Sequence, residues 1–114
     1  MLVRQAATTL VVRPAWHDFL LFLTAYLADD TAGAARYAAM ITSDTYPLGL
    51  VARALVAVQR GETETARQLL ARLGAARPAW RNDCRAELAK YFPAAAIVDR
   101  IERDIAQIRA IPGQ

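Results

Sequence analysis

The chain carries one cysteine, Cys84, and one histidine, His17, in 114 residues. A lone cysteine excludes an internal disulfide and any zinc site built on cysteine, because both need partners that the chain lacks. The reducing cytoplasm is therefore the expected compartment. The same scarcity empties the catalytic inventory. A Cys84–His17 pair would have to lie within hydrogen-bond reach, and neither has an orienting carboxylate beyond Asp18. There is no glycine-rich phosphate loop, no His-Glu-x-x-His and no calcium loop. Asp99, Glu102 and Asp104 could serve as acid and base, but they share a helix face where salt-bridged solvation is the usual role. The expectation is no enzyme, no metal and no cofactor.

Glycine and proline number five each, against 25 alanines, a balance that favours helix because alanine loses no side-chain entropy there. Long apolar runs are missing as well. The longest, Ala15 to Ala28, is broken by His17 and Asp18 and is shorter than the roughly 20 residues a bilayer crossing needs, so it reads as a core helix and no membrane is expected as a partner. The N-terminus, MLVRQAATTLVV, has no long apolar centre and is not read as a signal peptide. Nor is there a basic arm. The net charge of +3 comes from 14 basic residues spread along the chain, and the densest set, Arg67 to Lys90, is diluted by Asp83 and Glu87. Nucleic-acid binding through Arg67 to Lys90 accordingly ranks last among the functional readings.

What remains is an all-α chain of one domain, residues 14–111, preceded by 1–13, which is either half of an earlier hairpin, with Leu2, Val3, Ala6, Ala7 and Leu10 at helical spacing, or a flexible terminus. From Pro14 to Asp29, Trp16, Phe19, Leu20, Leu23 and Leu27 recur at i, i+3, i+4 and i+7, widened by Phe22 and Tyr26. Asp29, Asp30 and Thr31 supply cap acceptors for a second helix, Thr31 to Thr42, with Ala35, Ala38 and Ile41 inward. Ser43, Asp44, Thr45 and Pro47 stop and restart the chain. A third helix, with Leu48, Val51, Ala54, Leu55 and Val58 inward, runs to about Arg60, and Gly61 ends it. A fourth, Glu62 to Ala75, turns Ala66, Leu69, Leu70 and Leu73 inward. A fifth is expected over Ala79 to Phe92, with Trp80, Cys84, Leu88 and Tyr91. The last, from Pro93 to about Ala110, places Ile97, Ile101, Ile105 and Ile108 on one stripe and the pairs Asp99–Arg103 and Arg100–Asp104 on its outer face.

These helices group into three hairpins, about 14–43, 46–76 and 78–110. Gly61 to Pro78 echoes Asp30 to Pro47 at a spacing of 31 residues, aligning Ala35 with Ala66, Arg36 with Arg67 and Pro47 with Pro78 without a gap. Arg77-Pro78-Ala79-Trp80 repeats Arg13-Pro14-Ala15-Trp16, 64 residues on. Such self-similarity marks a stacked array of helical hairpins, with the one-sided last helix as its terminal cap. Trp16 and Trp80, at equal places, read as packing wedges between hairpins rather than ligand stackers.

The pattern resembles tetratricopeptide repeats, whose consensus sets a small residue early in the second helix and a proline at the end of the unit. Gly61, Glu62, Ala66 and Pro78 fit it in one unit, and Tyr26, Ala35 and Pro47 in the other. The consensus tryptophan and glycine of the first helix are replaced by Phe19 or Leu50 and by Leu23 or Ala54. More narrowly, Arg13 to Trp16, Leu69 to Leu73, Arg77-Pro78 and Tyr91 to Pro93 resemble the C-terminal helical-repeat segment of multidomain bacterial regulators, in which repeats follow a nucleotide-cyclase or winged-helix domain. No motif of those upstream domains is present here. The resemblance implies a right-handed α-solenoid of three hairpins that serves as a non-catalytic protein-interaction or regulatory module of a bacterial signalling or transcription regulator.

The resemblance also implies a contact face. In such arrays the first helix of each hairpin lines the concave side, and the contact positions map to His17, Leu20, Thr24 and Leu27, then Leu48, Val51, Leu55 and Gln59, then Arg81, Cys84, Leu88 and Tyr91. Leu20 and Thr24 stand where a carboxylate clamp needs polar or cationic groups, which argues against that ligand. An apolar groove of this kind would take an amphipathic helix of a partner, a second copy of the chain as a homodimer, or neighbouring helices of a larger protein. Alternatively, tight curvature closes it into plain core.

Overall fold

A computed structural model of the chain describes residues 15–42 and 46–110, which form seven helices and no strand. These are α1 (Ala15–Leu27), α2 (Thr31–Ala39), α3 (Pro47–Gln59), α4 (Thr63–Ala76), α5 (Pro78–Asn82), α6 (Cys84–Ala89) and α7 (Ala95–Ala110). The expectations for residues 1–14 and for the stop at Ser43 to Thr45 lie outside the described residues.

α1 packs on α2, and α3 on α4, with α3 touching both α1 and α2. The two hairpins turn in the same way. Asp29 (φ 60°) and Gly61 (φ 77°) are left-handed, and the next residue's N–H, of Asp30 or Glu62, reaches back to the carbonyl of Ala25 at 2.9 Å or Ala57 at 2.8 Å. Those carbonyls are among the orphan acceptors at a helix C-terminus, and the turn satisfies them. The caps that follow differ: Asp30 accepts from the Gly33 N–H at 2.9 Å, whereas the Glu62 side chain makes no cap bond. The turn residues and the starts of α1 and α3 recur at 32 residues, one more than the spacing of the sequence echo. The partner of Ala66 in the fold is thus Ala34, and both are fully buried, while Ala35 is only part-buried. The extra residue is absorbed after α2, which stops at Ala39 rather than Thr42.

The third unit departs further. The expected continuous helix over Ala79 to Phe92 is broken at Asp83, whose carboxylate accepts from the Ala86 N–H at 3.1 Å and caps α6. Asp83 stands two periods after Phe19. An aspartate there cannot replace a buried ring, but it can satisfy an exposed N–H, so the chain restarts.

α7, the last described helix, keeps Asp99, Arg103 and Gln107 exposed on its outer face; with the other side it packs on α3, α4 and α6, burying Ile101, Ile105 and Ile108, and it reaches the C-terminus of α1. There the Arg100 guanidinium lies 4.6 Å from the Tyr26 ring centre, donates to the last carbonyls of α1 (Tyr26 at 3.0 Å, Leu27 at 3.3 Å) and pairs with Asp29 at 2.7 Å. A cation suits that helix end. The Tyr26 hydroxyl donates to Asp104. Asp99 pairs with Arg85 at 2.6 Å, which also holds Glu102 at 2.9 Å. The expected pairs within the helix, Asp99–Arg103 and Arg100–Asp104, give way to these contacts between elements, because α7 has neighbours on more than one side.

Candidate functional site

Leu48, Val51, Leu55 and Leu88, expected to line a groove, are buried in the single hydrophobic core of the described residues. At these positions the groove reading is corrected: a side chain covered by its own chain cannot meet a partner without unfolding its surroundings. His17 and Leu27 are part-buried, while Thr24, Gln59 and Arg81 are exposed. Thr24 is occupied locally, its hydroxyl donating to the Leu20 carbonyl at 2.9 Å.

Leu20 is the expected contact residue that stays open and apolar, at 48 % exposure. With Trp16 (55 %) and Tyr91 (46 %) it rims a cleft of about 160 Å³ between the start of α1, the start of α3 and the chain that leaves α6. Phe19, Leu48 and Phe92 form its floor and Tyr46 a wall, with no charged side chain among them. Three of the expected positions, Leu20, Leu48 and Tyr91, thus converge.

Aromatic packing holds this floor. The Phe19 ring lies 5.6 Å from Phe22, 5.9 Å from Phe92 and 6.5 Å, edge-on, from Tyr46. Tyr91 stacks on the buried Trp80 at 6.3 Å. Offset and edge-to-face pairs at such spacings add to the area they bury, so the rim rests on a rigid base. Burial, and next the neighbouring Tyr91, push the Tyr46 hydroxyl above the ordinary phenol range. It stays neutral at physiological pH and is able to donate or accept one hydrogen bond.

Trp16 is the residue whose role the sequence pattern misplaced. It was expected to wedge between hairpins like Trp80, yet Trp80 is core and Trp16 is a rim residue. Its signal was its position one turn before Leu20 and off the Phe19–Phe22–Tyr26 stripe. Tyr46 and Phe92 were missed because they lie beyond helix ends, where periodicity carries no information.

The Cys84 thiol is buried, and that burial pushes it above its usual range, with Arg109 opposing the shift. A thiol held protonated is a poor nucleophile. Among the described residues no three His, Cys, Asp or Glu gather as metal ligands, and no helix is long and apolar enough to cross a membrane. Comparison of the chain with protein-family models, with curated proteins and with solved structures finds no match.

Proposed function

We propose that the chain is a tetratricopeptide-like protein-interaction module, a right-handed stack of helical hairpins that takes an amphipathic helix of a protein partner in the Trp16–Leu20–Tyr91 cleft. The observation that carries this reading is an inversion between units. Trp80, Cys84 and Leu88 form a buried stripe, and α7 packs on the helix bearing two of them. Trp16, Leu20 and Thr24, two periods earlier, form the matching stripe and are all exposed. A helix laid on Trp16 and Leu20 would do for the first unit what α7 does for the third. Burying the exposed half of Leu20 alone is worth about 1–2 kcal/mol. The uncharged lining favours apolar anchors one helical turn apart, with polar handles confined to the Tyr46 and Tyr91 hydroxyls and the Trp16 indole N–H. On the resemblance described above, the module belongs to a bacterial signalling or transcription regulator and has no chemistry of its own.

Selection of displayed helical peptides on the immobilised chain tests this. Ligands with paired apolar anchors are expected to protect Trp16 from acrylamide quenching, the buried Trp80 contributing little. Leu20→Asp should weaken them by about tenfold or more at unchanged helix content. Ligands indifferent to Leu20→Asp, or binding that leaves quenching unaltered, would sink the reading. Sedimentation of the chain alone decides between a foreign helix and a second copy: a dimer that Leu20→Asp disperses gives the cleft to homodimerisation.

A further inference from the structure

Three arginines from three helices line a second cleft that shares no residue with the first. Arg67 of α4, Arg81 of α5 and Arg109 in the last turn of α7 surround about 230 Å³ of open space over an apolar floor of Leu70, Ala71 and Ile108. No carboxylate lines it. Arg67 is paired with Glu64. Arg109 donates one N–H to the Trp80 carbonyl at 3.1 Å and keeps its other donors. Arg81 has no ion pair among the described residues. Its side chain is laid against α4, where Nε comes within 3.1 Å of the place a β-carbon on Gly74 would occupy. Arg81 and Arg109 also line the adjoining cleft beside Cys84, which holds Asp83 and Glu102; Asp83 caps α6 and Glu102 is held by Arg85.

With Glu64 set against Arg67 and Glu102 held by Arg85, Arg81 and Arg109 make no ion pair among the described residues. Like charges held together repel, and an anion between them removes the repulsion. Guanidinium groups are planar, permanently charged and weakly hydrated, and they bind oxyanions through paired N–H donors. A phosphate monoester carries nearly two negative charges at neutral pH, a match a single carboxylate does not offer. The apolar floor leaves room for the group that bears it. We propose that this cleft binds the phosphate monoester of a small ligand, with Arg81 and Arg109 as the principal donors and Arg67 as the third.

Titration of the folded chain with inorganic phosphate, a nucleoside monophosphate and O-phosphoserine, followed through the arginine Nε–Hε resonances, tests it. Saturable shifts of the Arg81 and Arg109 signals are expected, and the tighter of the two organic probes identifies the source of the phosphate. Arg109→Gln should weaken binding by about tenfold. Because that change also removes the contact with Trp80, Arg81→Gln, which breaks no such bond, should do the same at unaltered helix content. Phosphate affinity should fall below about pH 6, where the second charge is lost, while sulfate affinity holds. Shifts that do not saturate, that either variant leaves intact, or that only duplex DNA produces would overturn the assignment.

Discussion

The first and third units open with the same three residues, Pro-Ala-Trp, and bury opposite faces. In α1 the buried stripe is Phe19, Phe22, Leu23 and Tyr26, while Trp16, Leu20 and Thr24 face water. Two periods later the sense reverses: Trp80, Cys84 and Leu88 are buried, while the positions of Phe19, Leu23 and Tyr26 hold Asp83, Glu87 and Lys90. The shared motif marks where a helix starts. Which side it buries is set by the residues that follow, because one charged face leaves the chain a single way to bury the other.

The largest expected effect breaks that comparison at its most similar point. Trp80 is 1 % exposed, so Trp80→Ala removes a buried ring and should cost about 3–5 kcal/mol of stability. Trp16→Ala, at the equivalent place, should cost less than about 1 kcal/mol, since surface truncations seldom do more. Urea unfolding midpoints of the two variants measure the gap. Equal losses would mean that the tryptophans are equivalent after all and that the Trp16 rim is not open.

How much could be read beforehand follows the same division. The helices expected over Trp16 to Leu27, Leu48 to Val58 and Ala66 to Leu73 are observed, because an apolar repeat near 3.6 residues reflects a cost each helix meets locally, although Trp16 and Leu20 of the first expected stripe face water. Gly61 was legible as a left-handed stop for the same reason. The break at Asp83 was within reach, as an aspartate three residues before Ala86 is a cap pattern, but the apolar spacing of Trp80, Cys84 and Leu88 hid it. The course of α7 was not legible. Its charged residues Asp99, Arg100 and Asp104 satisfy the rule for pairs along a helix equally well as an exposed face, and only the tertiary contacts of Arg85, Asp29 and Tyr26 decide otherwise. For the candidate site, Leu20 was legible as a contact residue, whereas the sequence left Val51 and Leu55 open between groove and core, and the packing of α3 on α1, α2, α4 and α7 buries them.

A smaller effect separates the two well-matched hairpins. Both need a left-handed residue at the turn, met by Gly61 in one and Asp29 in the other. Gly61→Ala introduces a β-carbon that meets no neighbour within 4 Å, so its cost is backbone strain alone, about 1–2 kcal/mol. Asp29→Gly relieves that strain but loses the pair with Arg100, on a carboxylate whose side chain is 82 % exposed, and should come out within about 0.5 kcal/mol of neutral. The caps sharpen the contrast. Asp30→Ala should cost about 1 kcal/mol and Glu62→Ala only a few tenths, since only Asp30 makes a cap bond. Gly33 belongs to that cap: a β-carbon there would fall 2.2 Å from the Asp30 carboxylate, whereas the matching position in α4 holds Thr65 above a glutamate that does not close. Thermal midpoints of the four variants check the order.

A pH-dependent effect concerns Tyr26, whose counterpart one period on is Val58. Burial first, and then the hydrogen bond to Asp104, raise the Tyr26 hydroxyl well above its ordinary value of 10.0. Because the folded value lies above the unfolded one, the contribution is whole below about pH 10. It is lost progressively as pH rises past that point, where the unfolded chain ionises and the folded chain does not. Tyr26→Phe leaves the Asp104 carboxylate without this donor and should cost about 1 kcal/mol at about pH 8. The same change should flatten the alkaline loss of stability. Urea midpoints taken at about pH 8 and about pH 11 are expected to fall further in the parent chain than in Tyr26→Phe. A parent chain whose midpoint does not move would place Tyr26 in contact with water. That would separate α7 from the first hairpin at the contact that distinguishes it from the second, and the open cleft would then extend along α1 to Leu27.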